Sequence, residues 1–325
     1  MRGRVVDLSV VIPIYNEAEN ITALHQEVSG ALADLGLDYE IVYVDDGSAD
    51  QSFNLLEAIA RQDPHAVVVR FRRNFGQTAA MSAGFDHARG HIVVTMDGDL
   101  QNDPRDIPKL LAKLNEGYDI AAGWRFDRQD AFITRKLPSQ LANRLISRIT
   151  KVHLHDYGCT LKAFRREVVE NIRLYGEMHR FIPAIASGVG ARIAEVAVNH
   201  RPRVAGASKY GLGRTVRVVL DLITVKFLLT YSTRPIQIFG LWGLITGGLG
   251  FLLACCYAFQ RLFLAVPLGN KPGLLLAVFL MFVGVQLITL GLLGELQVRT
   301  YYETQAKPTY LVRQVLNRPP VKGGD

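Results

Sequence analysis

Two apolar runs, residues 235–259 and 273–294, constrain this 325-residue chain more than any other feature. The first is broken by Gln237, Thr246 and a few glycines, and the second by Gln286 and Thr289. Each has about the twenty residues that a helix needs to cross roughly 30 Å of hydrocarbon, and neither shows the polar face of a core helix of that length. Two crossings leave both flanks on one side. Arg214, Arg217, Lys226, Arg234, Arg299, Lys307 and Arg313 lie outside the pair, against Arg261 and Lys271 between the runs. That asymmetry places both termini in the cytoplasm. Residues 212–234 combine Arg217, Asp221 and Lys226 with a broad apolar face, as expected of helices lying in the interface. The division that follows is a domain over 1–211, interfacial helices over 212–234, spans at 235–259 and 273–294, a loop at 260–272 and a cytoplasmic tail over 295–325. Gly247, Gly248 and Gly250 either serve close helix packing or are simply tolerated in a lipid-spanning helix.

The amino-terminal part alternates short β-branched runs with helical periodicity. Residues 8–14, 41–44, 67–71 and 92–96 read as strands, and 18–35, 51–61 and 78–88 as helices. This repeated unit predicts a mostly parallel sheet covered by helices, an α/β fold. Ligands of such sheets gather beyond the carboxyl ends of the strands, so the residues just after each run carry the chemistry. Hydrophobic residues at 49% exceed what a soluble enzyme needs and fall short of a polytopic transporter. The formal charge of +7 admits nucleic acid, anionic lipid or phosphorylated substrates. Its cations cluster beside the apolar segments, and acidic pairs would repel a phosphate backbone, so nucleic acid is not an expected partner. Cys159, Cys255 and Cys256 have neither zinc-ligand spacing nor a disulfide framework. The apolar stretch at 8–15 is too short for a secretory signal.

Two acidic clusters sit at strand ends. Asp45-Asp46 precedes Gly47-Ser48, where carboxylates either accept hydrogen bonds from a nucleobase or ribose or simply form the turn. Asp97-Gly98-Asp99 offers two carboxylates one residue apart, able to face a single hard cation that completes its shell with water and substrate phosphates. It is no EF-hand, because the twelfth position from Asp97 is Pro108.

The strings Val10-Val11-Ile12-Pro13-Ile14-Tyr15-Asn16-Glu17, Val44-Asp45-Asp46-Gly47-Ser48 and Met96-Asp97-Gly98-Asp99-Leu100-Gln101, with Pro104, resemble the family 2 glycosyltransferases of GT-A fold. Asp156-Tyr157-Gly158-Cys159 and Ser208-Lys209-Tyr210 are similar to its polyisoprenyl-phosphate branch, which includes dolichol-phosphate mannose synthase, the bactoprenol glucosyltransferases and the aminoarabinose transferase. The last two groups also carry two carboxyl-terminal spans, so the resemblance extends over nearly the whole chain and is closest to the bactoprenol glucosyltransferase type.

The resemblance implies a donor-nucleotide site of Pro13, Tyr15, Glu17, Asp45, Asp46 and Asp97. It implies Mg²⁺ or Mn²⁺ held by Asp97, Asp99 and Gln101, and Asp156 together with Asp99 at the reacting centre. Phosphate groups of the acceptor would be handled by Arg125, Arg135, Ser139, Arg201, Arg203, Ser208 and Lys209, and guanidinium forks suit that task. The implied reaction is inverting transfer of one sugar, glucose from UDP-glucose first and mannose or an amino sugar next, onto undecaprenyl or another polyisoprenyl phosphate. The inner (plasma) membrane and a homo-oligomer such as a tetramer are further implications. The Gln-x-x-Arg-Trp string of processive relatives is missing, which favours a single transfer. A membrane-anchored nucleotide-sugar sensor is the reading from another class, and the filled metal and phosphate positions argue against it.

Cysteine-accessibility labelling of intact cells is expected to find positions near Gly3 and Lys322 protected and positions near Gly269 reactive from outside. Labelling near Gly269 from the cytoplasm alone would overturn the two-span topology.

Overall fold

The computed structural model describes residues 6–126, 147, 152–172, 174, 178–188, 190–202, 236–264, 272–304 and 310–317. The chain forms two compact units, one of residues 1–225 with 308–325 and one of residues 226–307.

The first unit is built on an eight-stranded sheet. Its elements are β1 (Leu8–Ile14), α1 (Ile21–Ala33), β2 (Tyr39–Asp45), α2 (Ser52–Gln62), β3 (Ala66–Phe71), α3 (Gln77–His87) and β4 (Ile92–Thr95). A 3₁₀ turn at Pro104–Asp106 leads into α4 (Ile107–Asn115), β5 (Ile120–Arg125), β6 (Lys162–Arg165) and α5 (Arg166–Glu170). A second 3₁₀ turn (Met178–Phe181), α6 (Ile182–Gly188) and β7 (Ile193–Val198) follow, and β8 (Val312–Leu316) comes from the far end of the chain. The order across the sheet is β7-β5-β6-β4-β1-β2-β3-β8. β1 pairs in parallel with β2 and β4, β2 with β3, and β5 with β7, whereas β6 and β8 run antiparallel to their neighbours.

The sequence dictates this arrangement locally. β1 is buried at every position but Pro13, which is why it reads as a continuous apolar run rather than an alternation. α1 presents Ile21, Leu24, Val28 and Leu32 on one stripe, and α4 does the same with Ile107, Leu110, Leu111 and Leu114. These side chains meet Val10, Ile12, Tyr43, Val68 and Val94 in one core. From β1 the chain moves outward through β2 and β3, then returns to place β4 on the other side of β1. The loops after β1 and β4 therefore diverge, and such a reversal opens a crevice at the carboxyl ends of the strands.

The second unit pairs α7 (Ile236–Phe263) with α8 (Pro272–Thr304). Small residues let the backbones touch: a methyl group on Gly243 would lie 2.7 Å from the Gly284 carbonyl, and one on Gly250 2.7 Å from that of Ala277. Trp242, Leu244, Phe251, Phe279 and Phe282 point outward. Phe239–Phe263 and Pro272–Gly294 are long and apolar enough to cross a membrane. The first helix runs four residues past the expected end at 259, and the second extends ten past 294. Residues 212–234, expected as interfacial helices, lie outside the described residues. The expected tail contains a strand, since β8 adds to the exposed edge of β3 and thereby belongs to the sheet of the first unit.

Candidate active site

Of the residues singled out from the sequence, Pro13, Tyr15, Glu17, Asp45, Asp46, Asp97, Asp99, Gln101 and Arg125 lie at or just beyond the carboxyl ends of β1, β2, β4 and β5. After β1, Asn16 adopts a left-handed conformation (φ 52°), its N–H donates to Ser48 Oγ (3.0 Å), and its Oδ1 accepts from the Ala49 N–H (2.8 Å). The Glu17 N–H donates to Ser52 Oγ (2.9 Å), while its carboxylate accepts from Asn20 Nδ2 (2.7 Å). These bonds tie the loop after β1 to the loop after β2. Tyr15 and Pro13 lie partly exposed beside them.

The two members of the first acidic pair do different things. Asp46 accepts hydrogen bonds from the N–H groups of Phe75 (2.7 Å) and Gly76 (2.9 Å), so it holds the loop between β3 and α3. Burial, against those two bonds, pushes its carboxyl up to about 6. Asp45 is fully buried at the end of β2; its Oδ1 accepts from the Ser48 N–H (3.1 Å). Its Oδ2 has no hydrogen-bond donor among the described residues and faces Arg70 Nε at the longer ion-pair distance of 3.6 Å. A buried acceptor in that state is costly, and a nucleobase N–H or ribose hydroxyl is the kind of donor it suits.

The second pair follows the carboxyl end of β4. Asp97 accepts from Gln77 Nε2 on Oδ1 (2.9 Å) and from Thr160 Oγ1 on Oδ2 (2.7 Å). Burial, followed by the neighbouring charge of Asp99, pushes the Asp97 carboxyl up to about 6. Gly98 between them lies so close to β1 that a methyl group there would meet Ile14 Cδ1 at 2.6 Å. Leu100 is buried at φ 62°, a conformation that a γ-branched residue adopts only under constraint. Strain of that kind gathers at sites whose loop shape matters.

A carboxylate whose proton affinity is raised by burial and by a neighbouring carboxylate suits a divalent cation. No group of three His, Cys, Asp or Glu side chains among the described residues could hold a metal ion alone. The donor set therefore fits a hard cation that takes its remaining ligands from substrate phosphates and water, as Mg²⁺ and Mn²⁺ do, and not a closed structural cage. Gln101, the third expected ligand, turns its side-chain amide toward the Arg201 carbonyl (3.4 Å).

Beyond this pair, Arg125 at the end of β5 grips Asp156 through two bonds, Nε to Oδ2 (2.6 Å) and Nη2 to Oδ1 (2.9 Å). Asp156 is 3% exposed, and its Oδ1 also accepts from the Gly158 N–H (2.9 Å). Arg201 does not stand open to solvent as an unengaged phosphate ligand. Its guanidinium pairs with Glu27 (2.6 Å) and Asp103 (3.0 Å), and its backbone N–H donates to the Gln101 carbonyl (3.0 Å). It thus braces the loop that carries Asp97 and Asp99. Arg135, Ser139, Arg203, Ser208 and Lys209 lie outside the described residues.

Three participants were not singled out from the sequence. Gln77 and Thr160 hold Asp97, and Lys162, 2% exposed on β6, donates to the Cys159 carbonyl beneath the site. Burial lowers the pKa of Lys162, with the charges of Cys159 and Asp156 opposing. A lysine inside the apolar run Leu161-Lys162-Ala163-Phe164 was the available signal, because fully buried lysines are rare.

The profile of Glycosyl transferase family 2 matches residues 9–173. A dodecaprenyl-phosphate galacturonate synthase of Rhizobium johnstonii is 45% identical over 96% of this chain and 94% of its own. An undecaprenyl-phosphate 4-deoxy-4-formamido-L-arabinose transferase of Pseudomonas aeruginosa is 42% identical over 98% of this chain and 94% of its own. Among solved structures, glucosyl-3-phosphoglycerate synthase of Mycobacterium tuberculosis, in complex with Mn²⁺, UDP and glucosyl-3-phosphoglycerate, superposes with a TM-score of 0.54 at 21% identity. The match covers 69% of this chain and 80% of that one, a likeness of fold. The expected GT-A architecture is the one observed.

The clamp on Asp103 carries a pH signature. Burial would raise the Asp103 carboxyl, but Arg105 and then Arg201 and Asn199 hold it well below the usual carboxylate range. Its contribution to stability is thus present above an unfolded carboxyl's pKa of about 4 and lost as the pH falls further. Arg201→Ala is expected to destabilise the α/β unit by about 1–2 kcal/mol at pH 7 and to flatten the loss below pH 4. Unfolding followed by fluorescence across pH 3–7 checks both, and superposable profiles would remove Arg201 from the clamp.

Proposed function

The chain belongs to glycosyl transferase family 2, and on that premise we propose that it moves one sugar from a UDP-sugar onto the phosphate of a polyisoprenyl lipid at the cytoplasmic face of the membrane. It is a glycosyltransferase. The observation that carries the proposal is the placement of Asp45, the Asp97–Asp99 pair and Arg125, which grips Asp156, at the carboxyl ends of β2, β4 and β5, in a chain that also bears two apolar helices.

In this reading the loops after β1 and β2 receive the uridine, with the buried Asp45 Oδ2 as an acceptor for its N–H or hydroxyl groups. Asp97 and Asp99 would hold Mg²⁺ or Mn²⁺, which when bound offsets charge on a departing diphosphate. Gln101 shapes that loop through its bonds to residue 201. A lipid-phosphate oxygen forms a bond to the anomeric carbon while the bond from that carbon to the diphosphate breaks and its electron pair leaves with UDP. In-line displacement inverts the anomeric centre. A phosphate monoester with a second pKa near 6 is largely dianionic at neutral pH and needs little help from a base. Asp156, both of whose oxygens Arg125 engages, is suited to fixing charge and position around two phosphates rather than to taking a proton. Arg125 orients Asp156 and adds positive charge to the same edge. Arg135, Ser139, Arg203, Ser208 and Lys209 are assigned to the acceptor phosphate.

Topology follows from the same proposal. β8 comes after both apolar helices in the chain and pairs with β3, which supports an even number of crossings between them, and the excess of cations outside the two apolar runs is what favours the cytoplasmic side. The sugar is proposed from the relatives. Their names specify galacturonate and 4-deoxy-4-formamido-L-arabinose where the sequence led to glucose, so UDP-galacturonate is placed first and UDP-glucose behind it.

The test is purified full-length protein in detergent with polyprenyl phosphate, Mn²⁺ and a panel of radiolabelled donors including UDP-galacturonate, UDP-glucose and GDP-mannose. One labelled sugar should pass to the organic phase with an equal amount of UDP released. Release of UDP without lipid product, or binding without turnover, would overturn the assignment.

With the active donor, Asp99→Asn is expected to lower turnover about a hundredfold, the scale of losing one preorganised electrostatic contact. The melting temperature should hold, because side-chain volume is kept. Unchanged turnover and unchanged Mn²⁺ dependence would take Asp99 out of the site.

A further inference from the structure

The loop between β3 and α3 supplies both N–H groups that hold Asp46, and it is itself held from an unexpected direction. The Arg72 N–H donates to the Leu311 carbonyl (3.0 Å), one residue before β8. Tyr310, 6% exposed, stacks on Phe71 with ring centroids 5.0 Å apart and planes at 17°. Phe71 in turn meets Phe75 edge to face at 5.6 Å, and the Phe75 N–H is the one that donates to Asp46 Oδ1. The Tyr310 hydroxyl donates to Asp86 Oδ2 (2.8 Å) on α3, the helix whose first residue, Gln77, holds Asp97. Gly47, at φ 67°, packs so tightly on the same loop that a methyl group there would lie 2.4 Å from the Arg73 carbonyl carbon. At the other end of β8, the Asn317 side-chain amide reaches the carbonyls of Ala60 (2.5 Å) and Ala66 (2.8 Å), so the strand is pinned at both ends.

We propose that Tyr310 is a positioning residue of the donor-nucleotide site: through Phe71, Phe75 and Asp86 it sets the 72–76 loop and α3 against Asp46 and Asp97. The strand that carries it thereby makes the segment beyond the two apolar helices a working part of the catalytic unit. This rests on the reading of the crevice as a UDP-sugar site. Tyr310 touches no reacting group; it acts through the geometry of the loop. The ring carries most of the effect, since two aromatic contacts in series transmit it to the loop, and the hydroxyl adds the tie to α3.

The consequences separate a positioning role from a purely structural one. In full-length protein in detergent, Tyr310→Leu removes the stack and is expected to weaken UDP binding, measured calorimetrically with Mn²⁺, five- to tenfold. It should raise KM for the UDP-sugar by a similar factor, while KM for polyprenyl phosphate stays within twofold. Tyr310→Phe keeps the ring and should recover donor binding to within about twofold of the parent. Equal rises in both KM values, or no rescue by phenylalanine, would overturn the proposal. Should the leucine variant fail to fold, hydrogen–deuterium exchange on the parent protein decides. Saturating UDP should slow exchange in 72–76 and in 310–316 together, and protection of the first segment alone would overturn the coupling. A parent protein that binds no UDP would overturn the donor reading and this proposal with it, whereas UDP binding with an unaltered constant in Tyr310→Leu overturns this proposal alone.

Discussion

Among the described residues of the first unit, six aspartates, Asp45, Asp46, Asp99, Asp103, Asp106 and Asp156, are each less than a tenth exposed. An unmatched carboxylate in such surroundings would cost more than a domain of this size can offset, so every one requires N–H donors or a cation at hand. Most find them within the chain. Asp46 takes two backbone N–H groups, Asp156 takes Arg125, and Asp103 and Asp106 share Arg105, Lys109, Arg201 and the Asn199 backbone. The imbalance falls on Asp97, whose pKa burial and then the charge of Asp99 raise, and on Asp45 Oδ2, which has an ion pair at 3.6 Å and no hydrogen bond among the described residues. The places where the protein's own charges match least well are the places proposed for cation and nucleotide.

Meeting these demands fixes the loops. Asp46 draws Phe75 and Gly76 to it from nearly thirty residues away, and Arg201 draws the end of β7 onto the loop after β4, from a hundred residues away. A loop held at so many points can sustain a left-handed Leu100 and a glycine pressed against β1. Gly98 packs against the Ile14 side chain at the end of β1, so a larger residue there would have to displace the tip of that side chain.

What could be read from the sequence follows from how local the physics is. β1 to β4 were legible because strands buried on both faces leave continuous apolar runs, and the aspartates after them because strand ends carry chemistry in such sheets. β5 was not, since Ile120-Ala121-Ala122-Gly123 is short and composed of small residues, nor was β7, whose mostly half-exposed Ile-Ala-Glu-Val-Ala-Val lies at the sheet edge. β6 hid behind Lys162, a residue that argues against a central strand unless its partners are known. The partners of Asp46 and Arg201 could not be read from the sequence for one reason: both side chains suit phosphate or nucleotide chemistry in isolation, and only the fold brings up the distant groups that engage them. Of the acceptor residues drawn from the resemblance, Arg125 is placed beside Asp156, and five fall outside the described residues.

The least legible element, β8, has a cause in the sheet itself. Without it β3 would be an edge strand of Ala-Val-Val-Val-Arg-Phe, parallel-paired on one side and open on the other, the flat apolar edge that invites association with foreign strands. Natural sheets blunt such an edge with charge, proline or a covering segment, and β3 carries only Arg70 near its end. The covering strand, Val-Arg-Gln-Val-Leu, is too short and too polar to announce itself, and it needs no strong propensity of its own because β3 templates it. It is also made after both apolar helices. Between synthesis of β3 and synthesis of β8, two apolar helices emerge, so the sheet that shapes the 72–76 loop can be completed only after both of them have been made. The antiparallel register of β8, with its irregularity at Arg70 and Phe71, then brings Tyr310 over Phe71 and the Leu311 carbonyl to the Arg72 N–H. One short strand thus satisfies two demands that the rest of the unit leaves open, an unprotected edge and a loop that Asp46 alone would hold by two bonds.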